Sequence, residues 1–432
     1  MAENEYLKML NSAYATSQKY YAIQMYDLYT NSHKIKFKKD KEIDNRVFQT
    51  SKVLLNFYKV TVKFIIDFVL QRPVKVSHPD EDFQNFILNF EKNNRIISYN
   101  RKLLENLCVF GQTYEHFYLD EDGEPRLRNI MGMAAIPFFD DYMELEAFIE
   151  DYKVLDENNQ EKRIVRLFTN EEIEEYKNNL ILEASEENIF SQIPIISYIQ
   201  EFHGKVISDL EDIQSLIEEY EEKLSDIGDT IEYHSDPTLV AFGQKLPNLD
   251  ARKGKILNFE KGADVRYLTW NQDVEAVKWY LKELKDLIFE ISMTPKVILS
   301  PTSISNISGV ALSIMYSTAL IKANEKQLVL KHGFTERYKL LAELYKIKTG
   351  RDINLDELEI TFNVSIPANE AELVNNLLML YNSGVISRET VMNNVPYVTD
   401  VAQETERIKE ETYDVYEEQA QEELKNIQEE NE

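Results

Sequence analysis

The chain has 432 residues, 43% of them hydrophobic and 29% charged, with 76 acidic residues against 48 lysines and arginines and a net charge of -28. Such a composition excludes a disordered chain and argues against a protein that grips nucleic acid along a broad basic surface. No uninterrupted apolar run approaches the roughly 20 residues that a bilayer-spanning helix needs, so no membrane partner is expected.

Length suggests about three compact parts. The first ten residues carry Glu3, Glu5 and Lys8 where a secretory signal would be basic and then apolar, so the protein is expected to act where it is made. Val53, Phe57, Val60, Phe64 and Phe68 recur at helical spacing and predict a helix over Val53–Leu70, stopped by Pro73. Further helices are expected over Asp82–Phe90 and Tyr99–Phe110, the latter broken at Gly111. Gln112–Leu119 and Arg126–Ile130 read as a hairpin around Asp120-Glu-Asp-Gly-Glu-Pro125. The Asp120, Asp122, Glu124 spacing is that of a turn and not of a calcium loop, because Pro125 stands where an EF-hand needs glycine and Met131 where it needs glutamate. Several short strands are expected between Phe138 and Phe168, with a tip at Asp156–Gln160, followed by a short acidic helix over Glu171–Asn179.

From Ser208 the apolar positions Leu210, Ile213, Ile217, Tyr220, Leu224, Ile227 and Ile231 form a near-heptad seam, the mark of a long helix packed along one stripe. Ser208 and Glu211 fit a capping box at its start. Short β-like pieces follow at Thr238–Phe242, Lys255–Phe259 and Val265–Thr269. Helical spacing resumes through Val274, Val277, Leu281, Leu284, Ile288 and Ile291, with Asp273 placed to cap. Met293–Ser308 is irregular, rich in Ser, Thr and Asn, and carries Lys296 as its one formal charge between Thr294 and Ser308. A longer helix is expected from Gly309 to about Lys348, bent at Gly333, then a strand over Leu358–Ile366 and a helix over Asn369–Tyr381. The last thirty-three residues hold 13 acidic side chains against Arg407, Lys409 and Lys425, and read as an acidic helix fraying into a tail.

The fold class expected is therefore α+β and mainly helical. Phosphate-binding, dinucleotide-binding, zinc-protease and nucleophile-elbow motifs are all missing. His33, His78, His116, His203, His234 and His332 stand apart from one another, and Cys108 sits among Leu107, Val109 and Phe110 as a small hydrophobe. No catalytic residue, metal site or cofactor is expected.

Several stretches resemble the portal proteins of tailed phages, and the SPP1-like type most. These are Asn45-Arg-Val followed by a helix ending at Gln71-Arg-Pro-Val74, Gly111-Gln-Thr-Tyr-Glu115 leading into the Asp120–Glu124 turn, and Ile193-Pro-Ile-Ile196 before the first long helix. Ser225-Asp-Ile-Gly-Asp-Thr-Ile-Glu-Tyr233 and Ser308-Gly-Val-Ala-Leu312 continue the series in order. The resemblance implies a portal-type architecture: a wing over 1–204, stem helices over 205–233 and 272–292, and a clip over 234–271. It also implies a tunnel loop over 293–308, a long helix and strand of the wing over 309–367, and a crown with an acidic tail over 368–432, the wing region and crown both looking short for the family. In this frame Thr294, Lys296, Ser300, Thr302, Ser303, Ser305 and Asn306 face DNA. Leu239, Val240, Phe242, Lys245 and Lys255 of the clip dock other proteins.

The partners implied are further copies of the chain in a ring, as a dodecamer, double-stranded DNA passing through it, the terminase large subunit, head-completion or adaptor proteins, and the major capsid and scaffolding proteins. The implied location is the portal vertex of a virion assembled in the host cytoplasm. An acidic coiled-coil scaffold or adaptor that never meets DNA would explain the charge and the seams, but not the β insert between two long helices. A nucleic-acid-modifying enzyme would need converging metal-binding carboxylates that no motif singles out.

Overall fold

The computed structural model describes residues 5–409, apart from 243–263, 269–273, 297–308, 365–369 and a few single or paired positions elsewhere. Two compact units arise. One comprises Met1–Lys296 and Thr318–Val364, the other Val297–Ser317 and Ser365–Glu432.

In the first unit a helical turn, α1 (Glu5–Lys8), precedes α2 (Ala13–Tyr29), whose N-cap Ser12 accepts from the Ala15 amide at 3.2 Å. A short hairpin, β1 (Lys41–Ile43) with β2 (Arg46–Phe48), leads into an extended stretch and then α3 (Phe57–Val69). The helix expected from Val53 thus begins four residues later, because the Asn56 side chain caps it by accepting from the Lys59 amide at 2.9 Å. Strand β3 (Lys75–Ser77), α4 (Glu81–Asn93) and α5 (Ile96–Phe110) follow. Gly111 ends α5 at φ 73°, and a Cβ there would meet the Ile207 carbonyl oxygen at 2.4 Å, so both conformation and space require glycine.

β4 (Gln112–Leu119) and β5 (Pro125–Met131) form the expected hairpin, and β11 (Ile195–Ile199) joins the other edge of β4. Between them runs an antiparallel meander of β6 (Ala135–Phe139), β7 (Leu145–Leu155), β8 (Glu161–Phe168), β9 (Glu172–Lys177) and β10 (Ile181–Glu187). The acidic helix expected over Glu171–Asn179 is strand β9 instead. Its alternation lets Ile173 pack against the core and Glu175 pair with Arg166 of β8 at 2.9 Å, which outweighs the helix propensity of glutamate. The meander buries both faces at its central strands, whereas the edge strand β10 is exposed throughout. Ala147, Ile149, Val165 and Leu167 pack on Leu7, Leu10 and Ala15, while Phe148 and Phe168 meet Tyr114, Ile130 and Ile195 of the three-stranded sheet.

The chain then makes a two-residue ladder, β12 (Glu201–Phe202) with β13 (Lys205–Val206), and enters α6 (Gln214–Ser235) through a 3-10 turn. The capping box does not form. Ser208 Oγ donates to the Val109 carbonyl at 2.6 Å, and the Glu211 carboxylate is taken by Tyr21 and Lys205. Strands β14 (Thr238–Phe242) and β15 (Asp264–Leu268) pair antiparallel, and α7 (Val274–Ile291) follows over the span its periodicity predicts. Asp273 and the piece Lys255–Phe259 lie outside the described residues.

In α9 (Ser317–Thr349), which follows α8 (Gly309–Met315), the helix runs without interruption through Gly333. The break falls at Tyr316 instead. Glycine is present at 333 because the ring of Tyr198 lies where a Cβ would be, 2.1 Å from Cε1. Strand β16 (Glu359–Thr361) is shorter than the expected Leu358–Ile366 and pairs with β3. The second unit contributes α8, α10 (Glu370–Asn382) and α11 (Arg388–Asn394), and a helical stretch over 404–409; residues 410–432 of the acidic tail lie outside the described residues.

Candidate functional site

Helices α6 and α7 lie side by side in the first unit. Phe57 at the start of α3 packs its edge on Tyr220 of α6 and on Phe289 of α7, and Tyr280 of α7 donates to Glu219 of α6 at 3.1 Å. Further along, Ile227, Thr230, Val277 and Leu281 line a groove of 330 Å³ between the two helices.

The apolar seam explains only part of the burial along α6 and the turn that leads into it. Leu210, Ile213 and Ile217 are fully enclosed, whereas Leu224 and Ile227 are half-buried and Ile231 is exposed. In the second half the buried positions are Glu221 and Ser225. An extended stretch, 51–55, runs against this face. The Ser51 amide donates to Asp229 at 2.6 Å, the Val53 amide to Ser225 Oγ at 2.9 Å and the Leu55 amide to Glu221 at 2.8 Å. Gly228 lets the stretch come close, since a Cβ there would stand 3.0 Å from Ser51 Oγ. Half-buried amides that would otherwise lack a protein partner are satisfied by helix side chains.

A basic run beside it holds the outer flank. Lys34 pairs with Glu218, Lys38 with Asp226, and Lys41 with Asp229 at 3.1 Å. His33 is enclosed against Glu221 at 2.7 Å; burial works against its charge, but the carboxylate outweighs burial and raises its pKa. Of the seven carboxylates on α6, Lys223 is the one cation of the helix to answer them, so the strap offsets an otherwise uncompensated charge.

A buried charge cluster ties α9 to the end of α7. Asp209 meets Lys326 at 2.6 Å and Lys322 at 3.1 Å, and Lys322 also donates to the Ser292 carbonyl at 3.2 Å. Burial would raise the Asp209 pKa, yet the two ammonium groups hold it well below the carboxylate range. Cys108 lies beside this cluster, and burial pushes its thiol up to about 12, so it is not a nucleophile. One layer away Arg337 grips Glu115 through two hydrogen bonds of 2.8 and 2.6 Å, both side chains being fully enclosed.

Of the residues assigned to the loop, Thr294 is buried, with its hydroxyl accepting from Ser292 Oγ at 3.0 Å, and Lys296 is half-exposed, 3.7 Å from Asp286. Ser300, Thr302, Ser303, Ser305 and Asn306 lie outside the described residues. Leu239, Val240 and Phe242 are placed together on β14, opposite Tyr267, Arg266 and Asp264 of β15. Lys245 and Lys255 lie outside the described residues. The basic strap was missed, although His33, Lys34, Lys36, Lys38, Lys39 and Lys41 form a conspicuous cationic run in an acidic chain.

These features define the class: a mainly helical α+β chain organised around a helix pair with two paired antiparallel strands between them in sequence. Residues 13–418 match the model of the phage portal protein family, SPP1 Gp6-like, and the chain belongs to that family of phage head-tail connectors. The portal protein of Bacillus phage SPP1 is 26% identical over 235 residues, a match covering 51% of this chain and 45% of that protein, so the likeness spans under half of the relative's length. Among solved structures, the neck of an empty gene transfer agent particle with C6 symmetry is 13% identical with a TM-score of 0.48, covering 77% of this chain and 87% of that one. The virion of a native gene transfer agent particle is 11% identical with a TM-score of 0.46, covering 85% and 91%.

Proposed function

We propose that this chain is the subunit of a closed dodecameric ring through which double-stranded DNA is packaged and ejected, seated at the portal vertex of a virion assembled in the host cytoplasm. The observation that carries this reading is the family match over residues 13–418, which takes in α6, α7 and the paired strands β14 and β15 between them. In this reading 205–233 and 272–292 are the stem, 234–271 the clip, 293–308 the tunnel loop, 1–204 with 309–367 the wing, and 368–432 the crown. The clip docks the terminase large subunit and later the head-completion proteins, through Leu239, Val240, Phe242, Lys245 and Lys255. Major capsid and scaffolding proteins are further partners.

Charge supports a channel that DNA passes without sticking. Carboxylates on a stem wall repel phosphates over about 8 to 10 Å at moderate salt, which is the scale of the gap between a duplex and its channel. In the loop, Ser300, Thr302, Ser303, Ser305 and Asn306 offer polar, sterically small contacts, with Lys296 as the lone cation, while the buried Thr294, first assigned to this set, is taken out of it by its bond to Ser292. The role is structural, without a catalytic residue, metal or cofactor.

Microscopy of the purified full-length protein tests the ring; discrete rings with a central hole are expected, and rods or monomers at micromolar concentration would favour a scaffold instead. In assembled rings, Ser303→Lys with Ser305→Lys should slow packaging at low salt and recover partly at higher salt, because each added phosphate contact releases counterions. Normal packaging by such rings at every salt concentration would overturn the tunnel-loop assignment.

A further inference from the structure

A second cavity, remote in sequence from the stem pair, opens among β3, α4, α5 and α9 and has a volume of 480 Å³. Its interior is apolar, with Val74, Val76, Leu88, Ile97 and Phe334 among the lining side chains. Leu88 and Ile97 are 52% and 55% exposed, unusual for two large aliphatic groups that share one cavity. Three cations stand at its wall: Arg72 on the connection into β3, Lys92 in the last turn of α4, and Arg95 at the junction of α4 and α5. None of the three makes an ion pair or a side-chain hydrogen bond among the described residues. In a chain of net charge -28, where Lys34, Lys38, Lys41, Arg128, Arg163, Arg166 and Arg351 are each matched to a carboxylate, that is a local excess of positive charge.

The lone carboxylate of the lining, Glu91, is turned to Tyr338, whose hydroxyl donates to it at 2.7 Å. Burial raises its pKa, with Tyr338 and Arg337 acting the other way. Glu91 is thus committed to the wall, and the outer cations are left to face solvent. An apolar interior of this size with polar groups at its edge is the form of a recognition pocket, and an anchor side chain in such a pocket carries most of the energy of a small interface.

We propose that this cavity docks a short acidic segment of a partner protein, which inserts a leucine- or phenylalanine-sized side chain beside Leu88 and Ile97 while flanking carboxylates meet Arg72, Lys92 and Arg95. A chain segment fits better than a small anion because the cations come from three separate stretches around an apolar opening and do not converge on one oxygen cluster.

The test uses the full-length protein and a short fluorescein-labelled synthetic peptide with Leu and Phe at its centre and glutamates on both sides, followed by fluorescence anisotropy. A peptide with lysines in place of the glutamates is the comparison. The glutamate peptide is expected to bind, more weakly as salt rises, and the lysine peptide is not. Arg72→Glu with Lys92→Glu, at exposed positions, should weaken binding about tenfold. Ser98→Trp, which fills the opening from the first turn of α5, should abolish binding with unchanged thermal unfolding. Equal binding of the two peptides, binding indifferent to the charge reversal, or no binding at all would overturn the proposal. If the reversal instead alters the oligomeric state, a second copy of this chain occupies the cavity and the proposal is equally overturned.

Discussion

Replacing Gly333 by alanine sets two physical effects of opposite sign against each other. Alanine in a helix interior is favoured over glycine by about 1 kcal/mol. Against that, the new Cβ would lie 2.1 Å from Tyr198 Cε1, 2.5 Å from Cζ and 2.6 Å from Cδ1. Ordinary carbon contacts are about 3.5 to 4.0 Å, so the ring would have to retreat by more than about 1 Å. It has nowhere easy to go. Tyr198 is fully buried, meets Phe334 edge-on at 6.1 Å, and its hydroxyl lies 3.4 Å from an Arg337 nitrogen. Overpacking of this kind costs about 1 to 3 kcal/mol, and a backbone-borne Cβ against a locked ring belongs at the upper end. The net expectation is a loss of about 1 to 2 kcal/mol, read as a lower melting temperature and urea midpoint. The sharper assay is the double variant: on a Tyr198→Ala background, Gly333→Ala should become neutral or stabilising, since only the helix term is left. A rise in melting temperature for Gly333→Ala in the otherwise unaltered protein would refute the reasoning.

Arg337→Met should cost about 3 to 5 kcal/mol in urea unfolding, because Glu115 is left charged and enclosed, whereas adding Glu115→Leu should recover much of that loss; simple additivity of the two would contradict a coupled pair. Acid stability should carry the signature of His116, whose pKa is pushed down to about 3 by burial and then by Arg128 and Arg166. Between its ordinary value of about 6.5 and that folded value only the unfolded chain takes up the proton, so stability is full above pH about 6.5 and falls as pH drops toward 3. His116→Phe should flatten that limb of a melting-temperature profile. His33 has the opposite sign: its raised pKa stabilises the fold below about pH 6.5, and this is lost as pH rises through the folded value, so His33→Gln should remove a decline on the alkaline side.

What the sequence makes legible is what local chemistry decides. The Asp120–Gly123 turn announces β4 and β5, since Asp120 accepts from the amides of Asp122 and Glu124 as turn residues do. The seam of α7 marks its ends because one face alone is apolar. Illegible are the places where distant chain supplies the partner. Glu221 and Ser225 look like solvent-facing residues of an acidic helix until the amides of Val53 and Leu55, more than 160 positions earlier, arrive to bond them. Glu172-Ile-Glu-Glu-Tyr-Lys177 fits a helix and a strand equally well, and what decides is distant chain: the core that takes Ile173 and Arg166 across the ladder. Gly333 reads as a flexible point when its real constraint is a tyrosine from another element.

The rungs between the extended stretch and α6 join residues 51, 53 and 55 to residues 229, 225 and 221, two steps along one against four along the other. Four helical residues advance about 6.0 Å, while two extended ones advance about 6.4 to 6.8 Å. The two rulers are nearly commensurate, and their error grows by about half an ångström per rung, as on a vernier scale. Three rungs fit within hydrogen-bond tolerance; beyond Leu55 the chain coils into α3 and the comparison ends. Sliding the stretch by one rung toward the start of α6 would set the Leu55 amide against Ile217, which offers no acceptor, so that rung would be lost. An insertion of one residue on either ruler would therefore misplace every later rung at once, which makes this seam far less tolerant of length change than the surface turns of the meander.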